Sequence, residues 1–78
     1  NKLDNPKNLA DMLIEDEYGN KIVLKFYQVG EDYFVSRNFL SEPRDFYAKE
    51  AEKSSNGVYY KINKINWELI DYVRTNNK

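Results

Sequence analysis

Residues 14–35, which read IEDEYGNKIVLKFYQVGEDYFV, give the clearest indication of the fold. Residues 17–20 contain a Gly-Asn pair between two apolar runs, and because both residue types tolerate positive φ, this pair predicts a hairpin turn. Residues 21–28 are rich in β-branched and aromatic side chains, which favour a strand. Residues 29–31 predict a second turn around a glycine, and residues 32–37 predict the returning strand. The stretch therefore indicates antiparallel pairing.

The segment before this hairpin fits two interpretations. Residues 1–8 are polar and predict a flexible arm. Across residues 6–14, the pair Asn5-Pro6 can cap and open a helix, whereas alternating apolar side chains in residues 10–16 predict a strand. A short turn followed by a strand would combine the two. The hairpin is therefore expected either to extend into a three-stranded meander or to follow a helix.

The sequence after the hairpin predicts a middle helix that runs to about residue 53. Ser41 is the expected N-cap and Pro43 suits the first turn, while neighbouring acidic side chains favour the positive end of the helix dipole. Gly57 follows the apolar positions of this segment. Because glycine adopts positive φ readily, Gly57 predicts the residue just beyond the end of the helix.

A further strand and a second helix complete the chain. Residues 58–64 have the composition of a strand, and Asn66 is the expected cap of a C-terminal helix that runs to Thr75. The apolar stripe of this helix consists of Trp67, Ile70 and Val73, with Leu69 beside them. A tryptophan on such a stripe dominates a small core, so Trp67 is expected to be buried.

These elements predict an α+β fold. A small antiparallel sheet of three to four strands would carry a middle helix and a C-terminal helix packed on one face. The chain has 78 residues, which is the length of one domain with one small core. Aromatic residues make up 15% of the chain. Because disordered chains are poor in aromatic residues, this share indicates a folded protein.

The residue types that are missing limit the chemistry of any site. The chain has no His and no Cys, which excludes disulfides, thiolate nucleophiles, Ser–His pairs and zinc sites built on these ligands. Residues 15–17 are consecutive acids, and this spacing lacks the alternation of a calcium-binding loop, so a solvated hairpin tip is favoured. We therefore expect no catalytic residue, no metal, no cofactor and no enzymatic activity.

The charge balance argues against a general role in nucleic-acid binding. The chain has 12 basic and 13 acidic residues and a net charge of −1. Nucleic-acid binders usually carry a clear basic excess, and a mimic of DNA would be far more acidic. No run approaches the roughly 20 apolar residues of a membrane span, and we expect a cytoplasmic protein. The abundance of Asn, Lys, Ile and Tyr, which use A/T-rich codons, associates the chain with a low-GC bacterium, a phage or a mobile element.

The candidate binding residues lie on one side of the predicted sheet. Strand alternation turns Ile22, Leu24 and Phe26 toward the helices and leaves aromatic side chains and two lysines on the opposite side. The candidate residues, including one extension from the C-terminal helix, are Lys25, Tyr27, Phe34, Tyr59, Lys61 and Tyr72. Such a surface suits a protein partner, a second copy of the chain or stacked bases. In the remaining interpretation, a second layer of this chain covers it.

We therefore expect a small, non-enzymatic protein-binding module. As the product of a phage or mobile element, it would be an inhibitor or regulator that binds and modulates a host protein. A homodimer through the aromatic sheet face is a further expectation. The alternatives are single-stranded nucleic-acid binding through the same face, and a subdomain of a longer protein that docks this face against the remainder.

Overall fold

The computed structural model describes residues 2–55 and 57–76. Within these ranges the elements are β1 (Lys7–Glu15), β2 (Lys21–Val29), β3 (Asp32–Phe39), α1 (Phe46–Ser55), β4 (Tyr60–Ile62) and α2 (Lys64–Asn76). The strands form one sheet in the order β1-β2-β3-β4, and each neighbouring pair is antiparallel. The expected α+β class is confirmed.

Both predicted turns connect neighbouring strands. Between β1 and β2, Gly19 has a φ of 85° and its N–H donates to the carbonyl of Asp16 over 3.1 Å. Between β2 and β3, the loop is the pair Gly30-Glu31, and Gly30 has a φ of 60°. Glycine reaches these φ values without the steric cost that other residues incur. The turn positions are therefore a direct consequence of where the glycines lie in the sequence.

The N-terminal segment is a strand, which decides between its two interpretations. β1 pairs with β2 so that Met12 and Ile14 lie opposite Leu24 and Ile22. Side chains opposite each other in a sheet point to the same face, so the pairing places four apolar side chains side by side. β1 begins at Lys7, and the mobility expected for the residues before it stays a prediction.

The start of α1 differs from the sequence-based expectation. The helix begins at Phe46 and its N-cap is Asp45, whose Oδ2 accepts a hydrogen bond from the N–H of Ala48 over 3.1 Å. Ser41 therefore does not cap the helix, and the expected position of Pro43 in the first turn was wrong. The chain stays with the sheet beyond β3, since the N–H of Leu40 donates to the carbonyl of Lys21 over 2.8 Å. Because of this contact, the helix begins later in the chain than expected.

The start of α2 also differs from the expectation. Asn63 is the cap, because its Oδ1 accepts a 2.7 Å hydrogen bond from the N–H of Asn66, which lies inside the helix. The expected cap was therefore three residues late, and β4 is correspondingly shorter than the predicted strand. Gly57 has a φ of 73°, as its position after α1 predicts. Neither helix in the described ranges has the length and apolar character needed to cross a membrane.

Both helices pack on the same face of the sheet. The Trp67 ring of α2 lies 5.4 Å from the Phe26 ring and 6.3 Å from the Tyr33 ring, measured between centroids. From α1, the Ser55 Oγ accepts a 3.2 Å hydrogen bond from the Nε of Arg37. Phe26 is only 3% exposed and is the largest buried apolar side chain. Trp67 therefore packs toward the sheet as expected, but it is partly exposed and not buried.

Candidate functional site

The sheet has a second face, which we call the open face, and neither described helix packs on it. Side chains alternate along a strand, so the neighbours of Phe26 in β2 point away from Trp67. Five of the six candidate residues belong to the open face or its edge: Lys25, Tyr27, Phe34, Tyr59 and Lys61. They come from β2, β3, β4 and the residue that precedes β4. Strand pairing thus gathers residues that are up to 36 positions apart in the chain.

Three aromatic side chains form the middle of the open face, and we call them the aromatic cluster: Tyr27, Phe34 and Tyr59. Tyr27 lies directly opposite Phe34 in the pairing of β2 with β3. The rings of Tyr27 and Tyr59 meet edge to face, with centroids 5.5 Å apart and planes at 77°. Aromatic pairs prefer this arrangement because the positive ring edge contacts the negative ring face.

A small residue allows the two tyrosines to meet across the intervening strand. Val35 pairs with Tyr60, so the same register continued by one residue places Tyr59 opposite Ser36. Ser36 lies on β3, between the strands that carry the two tyrosines, and it is buried. Its short side chain leaves space above β3 in which the rings make contact. All three members of the aromatic cluster remain partly exposed.

Each lysine of the open face has a carboxylate beside it. The Nζ of Lys61 lies 3.4 Å from the Oδ1 of Asp32, and both side chains are more than half exposed. Lys25 lies opposite Asp11 in the pairing of β1 with β2. The face is therefore close to neutral, and exposed pairs of this kind contribute little to stability.

Tyr72 does not join the other five candidate residues. It lies on α2, the helix that covers the opposite face of the sheet. Its side chain is exposed, as the helical spacing from Trp67 predicts. The sheet therefore separates Tyr72 from the aromatic cluster, and the two cannot contact one flat partner surface together.

The structure adds an apolar side chain that the sequence interpretation missed. Leu13 of β1 lies opposite Val23 of β2 and is exposed. It extends the apolar part of the open face to the edge of the sheet. Strand alternation in β1 would assign Leu13 to the open face. Because residues 6–14 also fitted a helix, the sequence did not predict the face to which Leu13 belongs.

Within the acidic run at the first turn, Asp16 forms hydrogen bonds that stabilise the turn. The Oδ1 of Asp16 accepts 2.9 Å hydrogen bonds from the N–H groups of Tyr18 and Asn20, and its Oδ2 accepts a 2.8 Å bond from the Asn20 amide. These bonds lower the pKa of Asp16, with the Asn20 amide as the largest cause and partial desolvation opposing it. Within the described residues, no three acidic side chains are grouped to hold a metal ion.

The same asparagine connects this turn to α1. Its Nδ2 also donates to the Oδ1 of Asp45 over 2.7 Å, and its Oδ1 accepts a 2.8 Å hydrogen bond from the N–H of Arg44. Asn20 is 1% exposed. We call the group Asp16, Asn20, Arg44 and Asp45 the polar clamp. The sequence interpretation did not identify it, because its two halves lie 24 or more residues apart.

Comparison with protein-family models, with curated proteins and with solved structures finds no match to this chain. The geometry of the open face is therefore the basis for its functional interpretation.

Proposed function

We propose that this chain is a small, non-enzymatic module that binds a protein partner through its open face. The observation that supports this proposal is the aromatic cluster, in which Tyr27 and Phe34 are paired across two strands and Tyr27 contacts Tyr59. Tyrosine anchors protein interfaces because it offers a large contact area and a polar end with little loss of conformational entropy. Neighbouring strands hold these side chains in place before a partner arrives, which reduces the entropic cost of binding.

The charge pattern favours a protein over a nucleic acid. Phosphate binding requires lysines whose charge is free to replace counterions. On the open face, Asp32 contacts Lys61 and Asp11 lies opposite Lys25. A near-neutral rim around an aromatic centre is instead the usual pattern of a protein interface. Binding of single-stranded nucleic acid is therefore the weaker candidate.

The composition suggests the setting in which such a module would act. The A/T-rich codon usage implied by the abundant Asn, Lys, Ile and Tyr fits a phage or mobile element of a low-GC bacterium. In that setting the partner would be a host protein, and the module would regulate or inhibit it.

The test uses two double variants that remove the same atoms from different places. Tyr27→Ser with Phe34→Ser removes two members of the aromatic cluster. Phe46→Ser with Tyr47→Ser removes one phenylalanine and one tyrosine that also contact each other but lie exposed at the start of α1. Tagged wild type and both variants would capture partners from a lysate of the source organism, with quantification by mass spectrometry.

We expect a protein that the wild type and the α1 variant enrich equally and that the open-face variant loses by more than about tenfold. Thermal unfolding of each variant shows whether its fold is intact. Equal capture by both variants would contradict the proposal. Unfolding of the open-face variant alone would show that this face belongs to the interior.

A further inference from the structure

Helix α2 is apolar on two sides, and only one of them meets the sheet. The inner side carries Trp67 and Ile70. The outer side carries four exposed apolar side chains, which we call the outer stripe: Ile65 (68% exposed), Leu69 (59%), Tyr72 (66%) and Val73 (56%). Their spacing of four, seven and eight residues from Ile65 places them on one face of a helix. No charged residue interrupts this stripe.

The outer stripe continues onto the sheet. Leu69 and Val73 line a cleft of about 250 Å³ together with Ile70 and with Met12 of the edge strand β1. Ile14, two residues further along β1, is also exposed. One apolar surface therefore runs from the outer side of α2 to the edge of the sheet.

The total accessible surface of the chain is larger than that expected for a monomer of its mass. The accessible surface is 5948 Å². A monomer of this mass is expected to expose roughly 5,000 Å², so the excess is on the order of 1,000 Å². A standard protein interface buries about 800 Å² from each partner. The excess is thus large enough for one such interface.

The shape of the molecule agrees with this excess. The radius of gyration is 13.3 Å and the extents are 36 × 33 × 16 Å. A compact chain of this length is expected to have a radius of roughly 11.5 Å. The chain is therefore a flat, two-layer structure, and a third layer against α2 would make it compact.

We propose that the outer stripe is the interface with a second copy of this chain, formed by the two α2 helices packed antiparallel. Three members of the stripe are symmetric about Leu69, because Ile65 precedes it by four residues and Val73 follows it by four, whereas Tyr72 has Asn66 as its counterpart. A two-fold axis at Leu69 therefore places Ile65 of one copy against Val73 of the other, and Leu69 against itself. Such self-complementarity is what a symmetric dimer requires. Antiparallel helices also bring opposite ends of their dipoles together.

The first experiment is sedimentation equilibrium of the purified chain. The wild type should sediment at twice the 9.3 kDa mass of one chain. Leu69→Asp places two carboxylates at the axis and should weaken self-association by at least about tenfold. Leu40→Asp is the matched control, because Leu40 is 58% exposed and lies outside α2. A monomeric wild type, or equal effects of the two substitutions, would overturn the proposal.

The second experiment tests the axis directly and does not rely on a destabilising substitution. The chain has no cysteine, so Leu69→Cys introduces a single thiol. Mild oxidation should produce a disulfide-linked dimer from Leu69→Cys and none from Leu40→Cys. Ile65→Cys and Val73→Cys should crosslink when the two variants are mixed, but neither should crosslink alone. Each residue lies about 6 Å along the helix from the axis, so it is about 12 Å from the same residue in the other copy. That distance is beyond the reach of a disulfide.

The dimer is independent of the binding proposed for the open face. Tyr27→Ser with Phe34→Ser should leave the sedimentation and the Leu69→Cys crosslink unchanged. If that open-face variant were folded but monomeric, the second copy would bind the open face, and the proposal for the outer stripe would be wrong. Crosslinking of Ile65→Cys alone would equally exclude the antiparallel axis at Leu69.

Discussion

Asn20 is a polar side chain in a position where a small protein usually places an apolar one. Both its amide nitrogen and its amide oxygen form hydrogen bonds inside the polar clamp. Burial of an amide is unfavourable unless such bonds replace those to water. The bonds join the first hairpin turn to the N-cap of α1, so one side chain orients two elements.

Replacement of this asparagine is expected to be costly. Asn20→Ala removes the hydrogen bonds to the Oδ1 of Asp45 and from the N–H of Arg44, and the free energy of unfolding should fall by about 2–4 kcal/mol. Chemical denaturation monitored by far-UV circular dichroism measures this change. Asn38→Ala is the control, because Asn38 is exposed and its amide donates a hydrogen bond to the Oγ of Ser36. This substitution should change the free energy of unfolding by no more than about 0.5 kcal/mol. An equal fall in the free energy of unfolding for both variants would show that the polar clamp does not stabilise the fold more than an exposed hydrogen bond.

The ionisation of Asp16 makes the turn sensitive to acid. Hydrogen bonds hold its pKa in the folded protein below that in the unfolded chain. The ionised carboxylate therefore contributes stability at pH values above the unfolded pKa, and this contribution disappears as the pH falls through the folded pKa. We expect the wild type to lose stability below about pH 4 more steeply than Asp16→Asn. Urea midpoints between neutral and acidic pH test this.

The neighbouring Glu17→Gln provides the control for the acid experiment. It removes a charge from the same turn without removing any hydrogen bond that Asp16 accepts. Its pH profile should follow the wild type. Parallel profiles for wild type and Asp16→Asn would show that this carboxylate does not produce the acid sensitivity.

The two helices are attached to the sheet by different means. α1 is fixed at its start by the polar clamp and at its end by Ser55, which accepts from Arg37 and donates to the carbonyl of Ala51 over 2.6 Å. α2 has no fully buried side chain and depends on the contacts of Trp67 with Phe26 and Tyr33. Removal of the Trp67 ring should therefore destabilise the attachment of α2 much more than substitution of any one exposed residue of this helix.

Trp67→Ala tests the attachment of α2. A fully buried tryptophan costs about 3–5 kcal/mol when truncated, and because Trp67 is partly exposed we expect about 2–3 kcal/mol. Denaturation monitored by circular dichroism gives the value, with Glu68→Ala on the same helix as the control. Native fluorescence of the wild type should lie to the blue of free indole. A loss below about 1 kcal/mol would mean that α2 is held by other contacts.

Across the whole molecule, the two layers leave two broad exposed surfaces, for which we propose different partners. The open face suits a protein of different sequence, and the outer stripe suits a second copy. The net charge of −1 adds no long-range attraction to a polyanion. The lysines of the open face do not change this, because each has a carboxylate beside it.

We therefore predict no binding of single-stranded oligonucleotides above background at physiological salt. Electrophoretic mobility shift measures this for the wild type. If a shift occurred, and if Lys25→Glu with Lys61→Glu removed it while Lys49→Glu with Lys53→Glu on α1 did not, the open face would be a nucleic-acid site. Such binding would also weaken steeply with added salt.

Features that depend only on neighbouring residues could be predicted from the sequence. The turns at Gly19 and Gly30 and the strand that joins them follow from backbone preferences within a few positions, so their placement could be predicted. The alternation along β2 and β3 likewise assigns Tyr27 and Phe34 to one face, because side-chain direction in a strand depends only on position along it. That part of the candidate site was predictable for the same local reason.

Long-range contacts resolved the choices between local options of similar energy. Ser41 and Asp45 are both good caps, and the hydrogen bond of Asp45 to Asn20, 25 positions away, selects Asp45. Helix α2 has apolar side chains on two sides, and packing of Trp67 on the Phe26 and Tyr33 rings leaves exposed Leu69 and Val73, which the sequence placed beside Trp67 on the inner stripe. Long-range contacts could make these choices because local propensities differ by less than about 1 kcal/mol, and a buried hydrogen bond or a ring contact contributes a comparable amount, about 0.5–1.5 kcal/mol.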